Sequence, residues 1–354
     1  MRFSVCVMAD VDEIGFFSHA EALGYDSVWV TDSQMLFSDC YAVLALAARQ
    51  TRRIRLGPGV AICGTRIPPV HVAAMATLNR LAPGRVHLGV GTGNTATRSM
   101  GRPPMRIAEY AEHLRVMRGL LSGEPVDYAR DGSTRPIKML IREKKYMSLE
   151  PRIPLYVSGF GPRAMELAGE FGDGLVFAIP PRGVPPAEAL ALARGGAARR
   201  AAAWRTSTPP PSPTWSCSSR ASRRTPSGSS TRWGRTSWRV STTSTTRCTS
   251  GVSSRRHSCA ASGPATASSS RRLPRAHRHF RTHEGHYTYL HPGEAELIDA
   301  ELIRATCLVG EADELIERIR ELERGGLREL MFATGVDEKW RFSEEFARRV
   351  VARY

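Results

Sequence analysis

Four short segments of the sequence carry residue types that could bind a cofactor, and each follows an apolar run typical of a buried strand. They are Thr31–Gln34, Gly59–Arg66, Gly89–Asn94 and Ser158–Arg163. Glycines in the third segment would let a planar ring approach the backbone, which side chains would block. The fourth segment leads into a helix, so its free N–H groups and the helix dipole would suit a phosphate, and Arg163 would add charge. Glycine-rich turns also arise for purely steric reasons, so the functional interpretation depends on four of them lying together.

The elements that must position these segments alternate between strand and helix, as in a parallel α/β protein. The predicted strands are Phe3–Ala9, Ser27–Thr31, Ile54–Ile62, Arg85–Gly91, Pro154–Val157, Gly174–Ala178 and Glu329–Ala333. The predicted helices are Val11–Leu23, Asp39–Gln50, Pro68–Leu81, Met105–Leu121, Pro162–Glu170, one from near Pro186, Asp313–Arg324 and Ser343–Ala352. The polar stretch Glu124–Pro151 is predicted to leave this alternation. Four units alone would also fit a doubly wound sheet, but eight units, counting one hidden strand, indicate a (β/α)8 TIM barrel with its active site at the C-terminal ends of the strands.

One segment, residues 201–280, has a different composition from the rest. It contains 20 Ser, 12 Thr and 14 Arg, and it lacks Ile, Asn, Gln, Lys, Asp and Glu. The net charge of +16 would suggest a nucleic-acid or membrane-surface partner. However, residues 189–283 hold 18 arginines, no lysine and no acidic residue, which leaves 32 basic and 34 acidic residues elsewhere. The body of the chain is therefore near neutral, and we expect neither a membrane partner nor a specific nucleic-acid partner.

Two interpretations of residues 201–280 compete. The first is an inserted, disordered basic linker, because such a composition buries too little apolar surface to fold. The second is out-of-frame translation of a GC-rich gene, entered near 199–205 and left near 275–282. If each serine codon is TCN, shifting Thr214–Ser219 by one base gives five successive codons with a central T, and all of them encode apolar residues. That run is typical of a buried parallel strand, so we favour a frameshifted segment that replaces the region of strand 7.

The sequence therefore predicts a single TIM-barrel domain over residues 1–354 that contains this anomalous segment. Met1 leads directly into a strand pattern, so no signal peptide is expected. The sequence contains no run of about 18 apolar residues, so no membrane span is expected. Cys6 and Cys63 fall in strand patterns and are expected to be buried, reduced thiols. A cytoplasmic location is expected by default.

Several motifs resemble the bacterial luciferase-like monooxygenase superfamily. They are Trp29–Met35, Thr65–Arg66 with Pro68–Pro69, Leu81–Arg85 with Leu88–Gly93, and Gly161–Arg163 with Asp173–Gly174. Within the superfamily they are similar to the methylenetetrahydromethanopterin reductase-like proteins, which use the deazaflavin coenzyme F(420) or FMN. The resemblance covers residues 1–185 and about 283–335, and its combined motifs are fairly specific.

The resemblance implies an oxidoreductase, either a reductase or a monooxygenase, that moves hydride between a flavin-type ring in the barrel mouth and a small organic substrate. The cofactor would be coenzyme F(420) or FMN, and the family suggests a homodimer. A non-prolyl cis peptide behind the ring would map to Gly59–Val60. The residues implied for cofactor binding are Asp32, Ser33, Gly59, Val60, Ala61, Gly91, Thr92, Gly93, Asn94, Ser158, Gly159, Phe160, Gly161, Pro162 and Arg163.

One departure from the family bears on the substrate. Members that oxidise sugar phosphates carry histidine where this chain has Ser33 and glutamate where it has Asn94, so a sugar phosphate is not expected. The same departure leaves the catalytic acid and base unassigned. Asp32 is expected either to cap the turn that follows it or to contact the cofactor.

Other readings remain open. His277, His279, His283, His286 and His291 crowd together, but no cysteine or carboxylate has metal-site spacing, so no metal is predicted. His71 is expected to be a packed core histidine. Gly89–Asn94 lacks the third glycine and the acidic partner of a dinucleotide fingerprint, which disfavours NAD. The alternative function is an inactive barrel remnant whose basic arm binds polyanions nonspecifically.

Overall fold

Short strands and longer helices alternate along the chain. The computed structural model describes residues 1–140, 146–179, 183–203, 238–241, 274–281, 288, 299–301, 303, 307–334 and 338–354. The strands are β1 (Arg2–Val7), β2 (Ser27–Val30), β3 (Arg55–Pro58), β4 (Ala61–Ile62), β5 (Leu88–Gly91), β6 (Val126–Arg130), β7 (Ser133–Ile137), β8 (Leu155–Ser158), β9 (Gly174–Val176), β10 (Trp238–Ser241), β11 (Cys307–Gly310) and β12 (Glu329–Ala333).

The helices lie between these strands. They are α1 (Gly15–Ala22), α2 (Cys40–Gln50), α3 (Pro68–Leu81), α4 (Thr95–Arg98), α5 (Ile107–Ser122), α6 (Pro162–Phe171), α7 (Pro186–Ala203), α8 (Ala312–Arg324) and α9 (Lys339–Arg349). Arg275–Arg281 and Val351–Arg353 form short 3-10 helices. None of the helices in the described ranges is both long and apolar enough to cross a membrane.

The parallel strands neighbour one another in chain order. β1 pairs with β2 and β2 with β3, while β4 pairs with β5, β5 with β8 and β8 with β9. A bridge between Leu56 and Val86 joins these two sheets, and β12 pairs with β1. This is the order of the expected (β/α)8 barrel, in which β3 and β4 are two halves of the third strand. The seventh strand predicted from the shifted frame of Thr214–Ser219 lies outside the described residues.

The third strand is interrupted where one continuous strand, Ile54–Ile62, was predicted. The interruption is the Gly59–Val60 peptide bond, which is cis, as the family resemblance implied. A Cβ on Gly59 would lie 2.6 Å from the Cβ of Trp29, so no larger residue fits there. The sequence pattern missed the break because both halves are apolar and buried.

Three further elements differ from the prediction. The polar stretch after α5 is a hairpin of β6 and β7, and its turn residues Asp131 and Gly132 both have positive φ. The short helix α4 was not predicted, because four residues carry no readable period. β11 was also missed; it pairs antiparallel with β10, which lies inside the anomalous segment.

Helices α6 and α7 approach each other through glycines. A Cβ on Gly169 of α6 would lie 1.8 Å from the carbonyl oxygen of Ala193, and a Cβ on Gly196 of α7 would lie 1.8 Å from that of Glu166. The two backbones are therefore in direct contact at this crossing. This contact fixes α6, the helix that follows the predicted phosphate-binding turn.

A buried carboxylate joins the N-terminal ends of several strands. Glu329 at the start of β12 is 1% exposed. Its Oε1 accepts hydrogen bonds from the hydroxyls of Ser4 and Ser27, while its Oε2 accepts one from Arg55 Nη2 at 3.0 Å. The network lies at the opposite end of the strands from the predicted site, so it belongs to the scaffold.

Candidate active site

The predicted cofactor-binding residues lie at the C-terminal ends of adjacent strands. Asp32 and Ser33 follow β2, and Gly91–Asn94 begin at the last residue of β5. Ser158–Arg163 run from the end of β8 into α6. Because β2, the two halves of the third strand, β5 and β8 are neighbours, the structure brings the four segments to one rim.

Asp32 holds the rim together from inside the protein. It is 4% exposed, and its Oδ2 accepts hydrogen bonds from the backbone N–H of Ile62 at 3.1 Å and from Arg66 Nη1 at 2.6 Å. Arg66 also donates to Asp39 Oδ2 at 2.8 Å and lies over the ring of Tyr41. Burial alone would lower the pKa of Arg66, but the bond to Asp32 raises it, so the guanidinium stays charged. Neither predicted alternative for Asp32, the following turn or the cofactor, included its bond to β4.

The glycines at and just after the end of β5 pack against other residues of the protein. A Cβ on Gly91 would lie 2.8 Å from Val60 Cγ2, and a Cβ on Gly93 would lie 2.4 Å from Ile62 Cγ2. Gly93 also has a φ of +78°, which glycine adopts without cost. Packing of the third strand against this turn therefore accounts for both glycines, and the close approach of a ring is not needed to explain them. Val60 itself remains partly exposed at the rim.

The turn after β8 leaves a helix terminus open. Gly161 is the N-cap of α6, Pro162 occupies the first turn, and no side chain caps the helix. Among the described residues no atom lies within 4 Å of a Cβ built on Gly161. The first-turn N–H groups of a helix have no partners within it. This terminus therefore has room and donors for an anion.

Arg163 is turned toward its own helix rather than held free for a ligand. Its Nη1 donates to Glu166 Oε2 at 3.0 Å and to Glu170 Oε1 at 2.6 Å. Arg199 of α7 bonds to the same two carboxylates. The charge of Arg163 is thus already compensated, and the helix terminus is the better candidate for binding phosphate.

A cavity of about 510 Å³ opens beside this rim, at the C-terminal ends of β12, β1 and β2. Its lining consists of Met8, Ala9, Asp10, Met35, Leu36, Phe37, Ser38, Thr288, Thr334 and Lys339. Sequence reasoning missed this cavity, because isolated threonine and lysine residues after a strand form no motif. The one signal that could have indicated it is the position of Thr334 directly after β12.

The histidine predictions have mixed outcomes. His71 is fully buried, with its Nδ1 2.8 Å from the Tyr41 hydroxyl, and burial lowers its pKa to about 3, which confirms a packed core histidine. His277 and His279 lie on the first 3-10 helix, where the His277 ring stacks on that of Phe280 and the His279 ring meets it edge-on. The other three histidines of that cluster lie outside the described residues. Within the described ranges no group of three or more His, Cys, Asp or Glu residues could hold a metal ion. Cys6 and Cys63 are buried thiols, as expected, and neither forms a disulfide with another described residue.

The family comparison agrees with this geometry. The model of the luciferase-like monooxygenase family matches residues 12–329. The chain belongs to this family. This luciferase-like protein also shares its fold with the coenzyme F(420)-dependent tetrahydromethanopterin reductase of Methanopyrus kandleri, with a TM-score of 0.63 and 18% identity over 100% of this chain and 99% of the other. The likeness confirms the TIM-barrel fold.

Two curated relatives are similar in sequence. The 5,10-methylenetetrahydromethanopterin reductase of Methanolobus tindarius is 34% identical over 161 residues, 44% of this chain and 47% of the relative. The F(420)-dependent glucose-6-phosphate dehydrogenase of Beutenbergia cavernae is 35% identical over 184 residues, 47% of this chain and 52% of the relative. The luciferase-like chain therefore spans about half the length of the curated relatives it matches.

Proposed function

We propose that this luciferase-like protein is an oxidoreductase, a reductase or monooxygenase, that uses bound coenzyme F(420) or FMN to act on a small organic substrate in the barrel mouth. The observation that carries the proposal is the convergence of the four predicted segments on one rim. Names of the curated relatives support it, since they include F(420)-dependent enzymes and a reductase. When bound, the cofactor would supply hydride-transfer chemistry.

The residues at the rim fit such a cofactor. The open N-terminus of α6 would bind its phosphate through first-turn N–H groups. Val60, partly exposed on the interrupted third strand, would contact the ring from one side. Asp32 and Arg66 would hold that strand in position through the bond from Ile62. Ser33 and Asn94 stand at the rim as neutral groups, which supports a substrate other than a sugar phosphate.

Binding of the cofactor can be tested with fluorescence titrations of FMN and of coenzyme F(420), using the purified protein. Gly161→Glu should weaken binding at least tenfold, because a negative charge at the α6 terminus repels phosphate. Gly161→Ala is the matched control and should bind within twofold of the parent protein, since its φ of −115° suits alanine. Binding of neither cofactor, or equal binding by the two variants, would contradict the proposal.

We also propose that the protein is a single domain over residues 1–354, a homodimer and cytoplasmic. The family resemblance supports the dimer. Light scattering on the eluting protein would measure the mass directly, and a monomer at all concentrations tested would contradict the dimer.

A further inference from the structure

We infer that the cavity at the ends of β12, β1 and β2 is the substrate subsite, and that it takes an uncharged molecule through a carbonyl or hydroxyl oxygen. This inference rests on the proposed function and names the substrate class for it. The cavity lies at the C-terminal ends of barrel strands, where barrel enzymes act. Its lining includes none of the residues predicted to bind the cofactor. It does include Met35, which lies two residues after Ser33 in the chain.

Thr334 lines this cavity and carries a buried hydroxyl without a hydrogen-bond partner among the described residues. The residue is 3% exposed. Its backbone N–H is directed to the carbonyl oxygen of Cys6 in β1, which fixes the position of the side chain. A buried hydroxyl without a partner is unfavourable, and ligand-binding sites are one place where such groups occur. Thr334 could donate to a substrate oxygen or accept from a substrate hydroxyl.

Lys339 lines the same cavity at the start of α9. It is 5% exposed, and its Nζ lies 3.4 Å from Glu13 Oε2 and 5.8 Å from the centre of the Phe16 ring. An ammonium group has three N–H donors. The ion pair with Glu13 and the contact with the Phe16 ring use only part of these donors, so a further N–H is available to a ligand oxygen.

The charges around the cavity favour a neutral ligand. Glu13, which lies outside the lining, pairs with Lys339, and Asp10 places a carboxylate in the lining itself. A phosphate or carboxylate would have to approach Asp10 while the lysine of the lining is already paired with Glu13, and like charges at short range repel. A carbonyl oxygen accepts from Lys339 and Thr334 without that repulsion.

The remaining wall of the cavity is apolar. Met8, Leu36 and Phe37 line it, and the largely exposed Met35 stands at its edge. Such surfaces contact the hydrocarbon part of a ligand, and methionine adapts to differing shapes. The lining thus matches a compact molecule with one oxygen-bearing end.

Ligand-observed NMR on the full chain can test this with two probes of matched size, cyclohexanone and cyclohexanecarboxylate. We expect cyclohexanone to bind at least tenfold more tightly than the carboxylate. Thr334→Val, which keeps the shape but removes the hydroxyl, should weaken cyclohexanone binding at least fivefold. Thr334→Ser should stay within twofold, and Lys339→Met should weaken binding like Thr334→Val. Melting curves of each variant show whether the fold is retained.

The outcomes separate the subsite from the proposed function. If the cofactor binds but cyclohexanone binding is the same in Thr334→Val and Lys339→Met as in the parent, the subsite is wrong and the proposed function stands. Tighter binding of the carboxylate also overturns the inference. If neither cofactor binds while cyclohexanone binding keeps its dependence on Thr334, the cavity is a ligand site and the proposed function fails.

Discussion

Single residues decide how charge is buried in this barrel, and Glu329 is the clearest case. Burial alone would raise the pKa of its carboxyl, but Arg55 and Arg2, with the hydroxyls of Ser4 and Ser27, lower the pKa to about 2. The carboxylate is therefore ionised in the folded protein well below the pH at which an unfolded glutamate takes up a proton. Its stabilising effect is full above about pH 4.5 and is lost as the pH falls toward about 2.

We predict that Glu329→Gln lowers the free energy of unfolding at neutral pH by about 3 kcal/mol, because the favourable ionised state is lost and two arginines lose their counterion. The variant should also show a shallower loss of stability between about pH 4.5 and 2 than the parent. Urea unfolding across that range measures both effects. Glu317→Gln, at an exposed pair on α8, is the control and should change neither. An unchanged acid slope in Glu329→Gln would show that the carboxylate does not govern it.

Only part of the candidate site could be predicted from individual residues of the sequence. Glycine and hydroxyl clusters after apolar runs located the rim, since turns of that composition stand out in sequence. The partner of Asp32 could not be read, because Arg66 and Ile62 reach it only through the neighbouring strand. Arg163 was assigned to a ligand because sequence does not show that Glu166 and Glu170 face it one and two turns later.

Among the elements, the contact between α6 and α7 places the sharpest demand on the sequence. Gly196 is in contact with the backbone of α6, while the adjacent Gly195 has no described atom within 4 Å of a built Cβ. The two neighbouring glycines therefore differ only in which side of α7 they occupy. Packing against α6 requires glycine at position 196. Glycine at position 195 only lowers the helix propensity of α7.

We predict opposite effects for the same substitution at these two positions. Gly195→Ala should stabilise the protein by about 0.5–1 kcal/mol, because alanine favours the helix. Gly196→Ala should destabilise it by about 2 kcal/mol or more, because the new Cβ would overlap the carbonyl oxygen of Glu166. Urea unfolding of both variants makes the comparison, and Gly195→Ala serves as the matched control. Equal effects at both sites would contradict the close crossing.

Most elements followed from local pattern, and the exceptions have physical causes. The sequence predicted α3 at its observed bounds, because Pro68 favours a first helical turn. It predicted β12 at its observed bounds from a short apolar run. It placed the start of α1 at Val11, whereas the helix begins at Gly15, because the apolar spacing continues through the turn before it. The local hydrophobic pattern does not show where a strand must break in order to pack on Trp29. The split of the third strand was therefore not predicted.

For the whole molecule, the central question is the reading frame of residues 201–280. The described strands occupy seven positions of the barrel, with β9 and β12 as the elements on either side of the remaining one. The shifted frame of Thr214–Ser219 encodes an apolar run of the kind that position needs. We propose that the parent gene reads in that frame, and resequencing it is the direct check.

We predict that restoring the reading frame raises the melting temperature by about 5 °C or more. The restoration needs a one-base insertion or deletion near codons 199–205 and a compensating one near codons 275–282. The added apolar strand would bury surface between its two neighbours. The control is a chain in which the order of residues 201–280 is shuffled, and its melting temperature should equal that of the unmodified chain. The proposal fails if the restored chain melts no higher, or if the gene shows an uninterrupted frame matching the printed residues.

The hairpin of β6 and β7 offers a place to attach other molecules to this protein. Its tip, Asp131 and Gly132, has φ values of +51° and +76°, which match a two-residue turn of the type common in hairpins. Most side chains of both strands are exposed. Exposed tips of this kind tolerate insertions. A peptide handle placed between Asp131 and Gly132 would let the protein be immobilised on a support while the strand ends that carry the rim and the cavity remain untouched.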